Sequence, residues 1–263
     1  MDIKRRWNSI DITRMMLAAL VVLVLYNIYS FGASNLFPII TTVATACLID
    51  LAINYIKEKR LFIPRNAMIT SLILSLVVQA SLLLLILVAA IAILSKHVIK
   101  INGRHIFNPA NFALFLALFL PVSESWWGMS NVLLVATMGL IIVYKLKRYH
   151  LVLPFLALHA LLMLVIFAAS TSQLVGHMTS GLLLFFTFYM LIEPITVPAR
   201  RKSRIVFGAL AGVFAAVLYL VWLPAMLVGA LFFADLFVPL LNRNPSVKPK
   251  VEEQANYTTN PNW

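Results

Sequence analysis

The chain has 263 residues, of which 62% are hydrophobic and 11% charged, with a formal net charge of +12 and a mean hydropathy of +0.95. A soluble domain carries roughly 25% charged residues, and no polar stretch here exceeds about twenty residues, so a separate soluble catalytic domain is excluded. The single cysteine, Cys47, makes no internal disulfide and cannot hold an iron–sulfur cluster alone.

In chain order, a tail over residues 1–14 holds Lys4-Arg5-Arg6 and leads into an apolar run from Met15 to Phe31. No small-x-small cleavage site follows cleanly, so the run reads as a first span rather than a secretory signal. The predicted spans are 15–32, 36–56, 67–79, 81–99, 108–121, 127–145, 151–169, 178–192, 205–221 and 224–241. Lys and Arg fall in six clusters: residues 4–14, 57–65, 96–104, 145–148, 200–204 and 243–250. Between successive clusters lie two apolar spans and a loop without Lys or Arg. Cytoplasmic loops collect Lys and Arg. The pattern predicts a multi-pass protein of the cell (inner) membrane with both termini cytoplasmic. Topology and contact with anionic lipid explain the positive charge fully, which leaves no role for nucleic acid. Trp126, Trp127 and Trp222 fall at predicted outer boundaries, where aromatic side chains anchor.

Ten spans divide into five and five, and an odd number per half turns the second half upside down. The expected fold is therefore all-α, with inverted five-helix repeats over 15–122 and 123–242 and a cytoplasmic tail over 243–263. Span three opens Met68-Ile69-Thr70-Ser71 and span eight opens His177-Met178-Thr179-Ser180. Both are too short to cross ~30 Å of hydrocarbon at ~1.5 Å per residue. Span five starts Asn108-Pro109-Ala110-Asn111, an N-cap followed by Pro at the first helical position, and span ten starts Pro224-Ala225. Short, Pro-interrupted spans at matching positions predict discontinuous helices whose ends build a polar site near the midplane.

Ionisable residues within spans are costly and mark candidates. Asp235 lies deep in span ten, with no Lys or Arg there to pair with it, and is the leading ion- or proton-binding acid. Asp50, late in span two, is a second. Glu193 ends span eight before Pro194; Asp50 and Glu193 have the alternative of facing cytoplasmic water. His159, in span seven, reads as a packing histidine. Thr70, Ser71, Asn108, Asn111, Thr179 and Ser180 sit at short-helix ends, whose free N–H groups suit anionic or carbonyl-bearing ligands. No metal-ligand set, P-loop, His-Glu-x-x-His or Gly-x-Ser-x-Gly is present, so no catalytic residue is assigned.

Arg104-His105-Ile106-Phe107-Asn108-Pro109-Ala110-Asn111 resembles the Asn-x-Phe-Asn-Pro-Ala segment of one membrane family. That family contains RnfD, from the Rnf electron-transport complex, and NqrB, from the sodium-pumping NADH:quinone oxidoreductase. Ala67 to Leu74, Glu193-Pro194-Ile195-Thr196-Val197-Pro198 with Arg200-Arg201-Lys202, and Leu231 to Leu241 resemble three further segments, in the family's order. The resemblance runs from about Leu36 to Asn242. It implies a ten-helix inverted repeat and a flavin-carrying electron path coupled to ion movement. It further implies that Thr70, Ser71, Asn108, Asn111, Thr179, Ser180 and Glu193 face a flavin. The family's long external insert with a Ser-Gly-Ala-Thr-type attachment motif is replaced here by Val122-Ser123-Glu124-Ser125-Trp126, Glu193 replaces an Asp, and Asp235 stands where Asn is common. The expected flavin (riboflavin or FMN) is therefore non-covalent, or is carried by a partner. The expected partners are other membrane electron-transfer subunits or an FMN-carrying protein. The competing reading is a small-solute or ion transporter or channel on the same scaffold.

Topology reporters fused after Glu58, Ser125 and Arg201 should report inside, outside and inside. An outside signal at Arg201 would overturn the inverted arrangement.

Overall fold

The computed structural model describes residues 11–242 except 62, 102 and 169. The expected tails, with the basic groups of residues 4–6 and 243–250, lie outside the described residues save for residues 11–14. The helices, in order, are α1 (Ile12–Phe31), α2 (Leu36–Glu58), α3 (Arg65–Val77), α4 (Leu82–Val98) and α5 (Pro109–Ala117). They continue with α6 (Val132–Leu146), α7 (Tyr149–Ile166), α8 (Thr171–Met178) and α9 (Gly181–Phe185), which runs into a π-helical segment (Phe186–Met190). The chain then forms α10 (Arg201–Val221), α11 (Met226–Leu236) and α12 (Val238–Leu241). α1, α2, α7 and α10 are long and apolar enough to cross a membrane; α3, α4, α6, α9 with its π segment, and α11 are shorter apolar helices. The fold is an all-α membrane architecture, as its composition requires.

Local chemistry places the helix starts. Asp11 accepts from the Thr13 amide at 2.9 Å to begin α1. Asn131 does the same for Leu134 at the start of α6, and Ser180 for Leu183 at the start of α9. Asn108 caps α5 through the Asn111 amide at 3.1 Å, with Pro109 at the first position. Span five, expected over 108–121, is α-helical only over Pro109–Ala117 and then turns. The expected span 178–192 is preceded by α8, breaks at Thr179-Ser180, and ends in the π segment, where the Leu191 amide reaches back to the Phe186 carbonyl.

Two antiparallel strand pairs brace the bundle ends. β1 (Val78–Gln79) pairs with β4 (Ser123–Glu124), and β2 (Lys100–Ile101) with β3 (Arg104–His105). Gly103, at φ 79°, makes the second turn possible.

The helices pack in a recurring pattern. α1 lies on α3, α2 on α4, and α4 on α5; further along, α6 lies on α9, α7 on α10, and α10 on α11. α1 also meets α6, and α5 meets α11. The tightest seam is α7 against α10. A Cβ at Gly208 would overlap the Leu151 carbonyl, and one at Gly212 would stand 2.9 Å from the Phe155 oxygen. Without water in the bilayer to drive association, small residues at such seams supply close contact.

Gly208→Val should lower the thermal midpoint in detergent, by about 1–3 kcal/mol of overpacking strain. Gly176→Ala, with nothing within 4 Å of its added Cβ, should leave the midpoint within error. Equal loss in both would mean the seam is not close-packed.

Candidate functional site

The N-terminus of α5 is where the polar groups converge. The Asn108 side chain uses its oxygen for the cap, and its Nδ2 donates to the Met190 carbonyl at 2.9 Å, at the end of the π segment. Its backbone N–H donates to Asp235 Oδ2 at 3.2 Å, and Asn111 Nδ2 donates to the Val228 carbonyl at 2.9 Å. Asn111 and Asp235 are fully buried. Asp235 Oδ1 and Asn111 Oδ1 are buried oxygens without a protein partner among the described residues.

Above this knot a cleft opens between α1, α3, α6 and the stretch after the π segment. Thr70, Lys96, His105, Asn108, Tyr189 and Glu193 line its polar side, and Met16, Ile69, Ile73 and Ile142 its apolar side. Its enclosed part is about 100 Å³. Lys96 is held there by Asp50, whose Oδ1 lies 2.7 Å from Lys96 Nζ and 2.9 Å from His97 Nε2. The Asp50 side chain is 6% exposed and that of Lys96 12%. His105, on β3, stands 3.6 Å from Glu193 Oε1, and Thr196 donates to Glu193 Oε2 at 3.5 Å. Tyr189 is fixed by its hydroxyl, which donates to the Val135 carbonyl at 3.1 Å.

The expected site residues divide accordingly. Thr70, Asn108 and Glu193 face the cleft; Asn111 and Asp235 lie beneath it; Asp50 reaches it only through Lys96. Ser71 is buried and turned onto the Met68 carbonyl at 3.0 Å. Thr179 is exposed and bonded to the Val175 carbonyl at 2.7 Å, and Ser180 is spent as the α9 cap. Those two sit at the far end of the ten-residue Gly181–Met190 stretch, ~15 Å away at α-helical rise, and do not line the cleft. Sequence reading missed Lys96, His105 and Tyr189. Lys96 was absorbed into a topology cluster, although its place at the end of an apolar run, on the same expected side as Asp50, was the available signal. It also missed Glu124, a half-buried carboxyl on β4 outside the spans. Burial pushes this group up to about 8, and a hydrogen bond from Trp126 opposes the shift.

The model of the NQR2, RnfD, RnfE family matches residues 3–123 and 114–251. The chain belongs to this family. Over 151 residues it is 26% identical to the D-type subunit of the ion-translocating oxidoreductase complex of Escherichia fergusonii, covering 54% of this chain and 40% of that protein. Over 108 residues it is 32% identical to the proteins of the same name in Escherichia coli strain K12 and Salmonella arizonae, covering 37% of this chain and 29% of each. The chain thus spans less than half the length of the curated relatives it matches. The family resemblance read from the Asn108-Pro109 segment is borne out, and that segment forms the cap at the centre of the site.

Asp50→Asn should cost about 3–5 kcal/mol, because it strands a buried ammonium. The double variant Asp50→Asn/Lys96→Met should recover most of that loss in thermal unfolding. If the double variant is as unstable as the single, the pair is not what holds α2 to α4.

Proposed function

We propose that this chain is the membrane subunit of a flavin-dependent electron-transfer system and that the cleft above Asn108 is where a flavin edge is received. The convergence of Lys96, His105, Asn108 and Glu193 beside an apolar wall is the observation that carries this reading. A flavin has apolar ring faces and a pyrimidine edge rich in acceptors, and these residues suit it: Met16, Ile69 and Ile73 for the faces, Lys96, Thr70 and the Asn108 region for the edge. The enclosed space is below the ~300 Å³ of ordinary small-molecule pockets. It therefore admits an edge, and a flavin-carrying partner or membrane subunit covers the remainder. The relatives' name, which places them in an ion-translocating oxidoreductase complex, supports both the partners and an ion-coupled role.

A bound flavin would supply one- and two-electron chemistry; the chain's own part is to bind and position it. Lys96, braced by Asp50, places a positive charge at the edge. The His105–Glu193 pair stands at the mouth. Asp235, beneath the cap and without a basic partner among the described residues, is the acid of the ion-coupled step, with Asn111 beside it.

The reading includes two inverted five-helix halves over 15–122 and 123–242, ten spans, an inner-membrane location and cytoplasmic termini. The packing pattern supports the halves: α1–α3, α2–α4 and α4–α5 recur as α6–α9, α7–α10 and α10–α11, while α1–α6 and α5–α11 join corresponding helices across the middle. The match is incomplete, because α2 lies on α3 whereas α7 meets the short α8. The six basic clusters support the orientation.

Purified with its co-isolating subunits, the protein should release flavin on acid denaturation and show no fluorescent band of its own on a denaturing gel. Lys96→Met should reduce flavin retention by about tenfold or more, the worth of a hydrogen bond from a charged group. Absence of releasable flavin from both the chain and its complex would remove the reading. A fluorescent band on this chain would remove its non-covalent part.

A further inference from the structure

His159 and His177 belong to no part of the cleft. His159 is in the middle of α7 and fully buried. His177 is near the end of α8 and half-buried. Their Nε2 atoms are 2.9 Å apart, an ordinary length for an N–H···N hydrogen bond. It is short for two nitrogens sharing a metal ion at ~2.0–2.1 Å each.

The surroundings are aromatic. The Phe155 ring lies parallel to His159 at 5.6 Å and 4°. Phe167 and Tyr219 meet His177 edge-on at 5.6 and 5.7 Å. Gly212 lets α10 close over the pair; a Cβ there would stand 3.3 Å from the His159 backbone nitrogen. Among the described residues, the other titratable group against the pair is the Tyr219 phenol of α10. α7, α8, α9 and the π segment contain no Asp, Glu, Lys or Arg, and the basic residues of α10 are confined to its first turn, Arg201 to Arg204. No counter-charge from these elements competes for the shared hydrogen.

We propose that His159 and His177 form a proton-binding site, distinct from the cleft and reached from the end of the bundle where α8 lies. In the neutral pair one ring donates its Nε2–H to the lone pair of the other. A proton from water, added to the second nitrogen of the donating ring, makes it an imidazolium and leaves the bond intact and charge-assisted. Nothing is oxidised, and no other bond breaks. A second proton puts an N–H on both facing nitrogens, removes the only acceptor, and parts the rings. The site therefore takes one proton with α8 held on α7 and releases α8 when it takes two. α8 continues through Thr179-Ser180 into α9 and the π segment that carries Tyr189 and Met190, so proton occupancy at one end of the bundle is tied mechanically to the wall of the cleft at the other. This assignment does not depend on the flavin reading.

The test uses the full chain in lipid nanodiscs with ¹⁵N-labelled histidine, its five histidines being assigned with His159→Gln and His177→Gln. Between about pH 7.5 and 3.5 the two ring signals should move together, the first step adding one proton to the pair. Substituting either histidine should change the titration of the other. Deuterium exchange of the Thr171–Met178 amides, corrected for intrinsic rates, should rise about tenfold at the acid end in the native chain and lose that rise in His177→Gln. His177→Gln, at a half-buried position, keeps the test decisive if His159→Gln does not fold. Independent titration of the two rings overturns the proposal. So does a stoichiometric transition metal, released by acid from the native chain and missing from His177→Gln.

Discussion

The structure depends on the bonds that Asn108 makes inside the bundle. In hydrocarbon a backbone or amide group that leaves the helical ladder must find a protein partner, because water is not available to take its place. The chain interrupts its helices at two points that meet, the start of α5 and the end of the π segment, and Asn108 serves both. One side chain closes the α5 cap and ties down the Met190 carbonyl, while the same residue's N–H goes to Asp235. Removing any of these leaves a buried polar group stranded, which is why the broken helices stay broken in one arrangement. The cleft exists because the two interruptions are held apart by a side chain instead of being closed by regular helix.

Around that knot, aromatic packing covers what the short helices leave open. Phe107 stacks on Phe232 at 4.8 Å and Phe232 on Phe115 at 4.2 Å, and Trp222 meets Phe115 edge-on at 6.2 Å. A nine-residue helix such as α5 has little surface of its own. Large flat side chains on α5 and α11 give the pair contact area that two short aliphatic helices would lack.

Much of this was legible because membrane insertion writes its constraints into one dimension. Apolar runs mark membrane helices, and the Asn108-Pro109 dipeptide marks a helix start by elementary capping chemistry. That Asp235 is buried could be read from its place in an apolar run. What could not be counted was pairing. Nothing in Asp50 or Lys96 alone says that α2 and α4 lie side by side, so their 2.7 Å pairing emerges only once the helices are packed. Thr179 and Ser180 read as short-helix-end residues of a span expected over 178–192. The preceding Thr171–Met178 is polar enough to read as loop, yet it is helical. The β2–β3 hairpin had a local signal, the Asn102-Gly103 dipeptide, which was overlooked because strands were not expected in so apolar a chain.

The π segment has a consequence for how this chain can vary. Each residue of an α-helix turns the next side chain by ~100°, and a π turn accommodates one extra residue, shifting everything beyond it around the axis. Tyr189 and the Met190 carbonyl point where they do because the stretch from Phe186 to Met190 is one residue longer than an α-helix would need. Losing one residue just before the π turn, with the turn kept, would rotate that face by ~100° away from Asn108, with every side chain still of a type found in membranes. Spacing is therefore a stricter inheritance than spelling in this stretch. Substitutions could accumulate while the residue count stays fixed, and a one-residue gap would separate working descendants from broken ones more sharply than any change of letter.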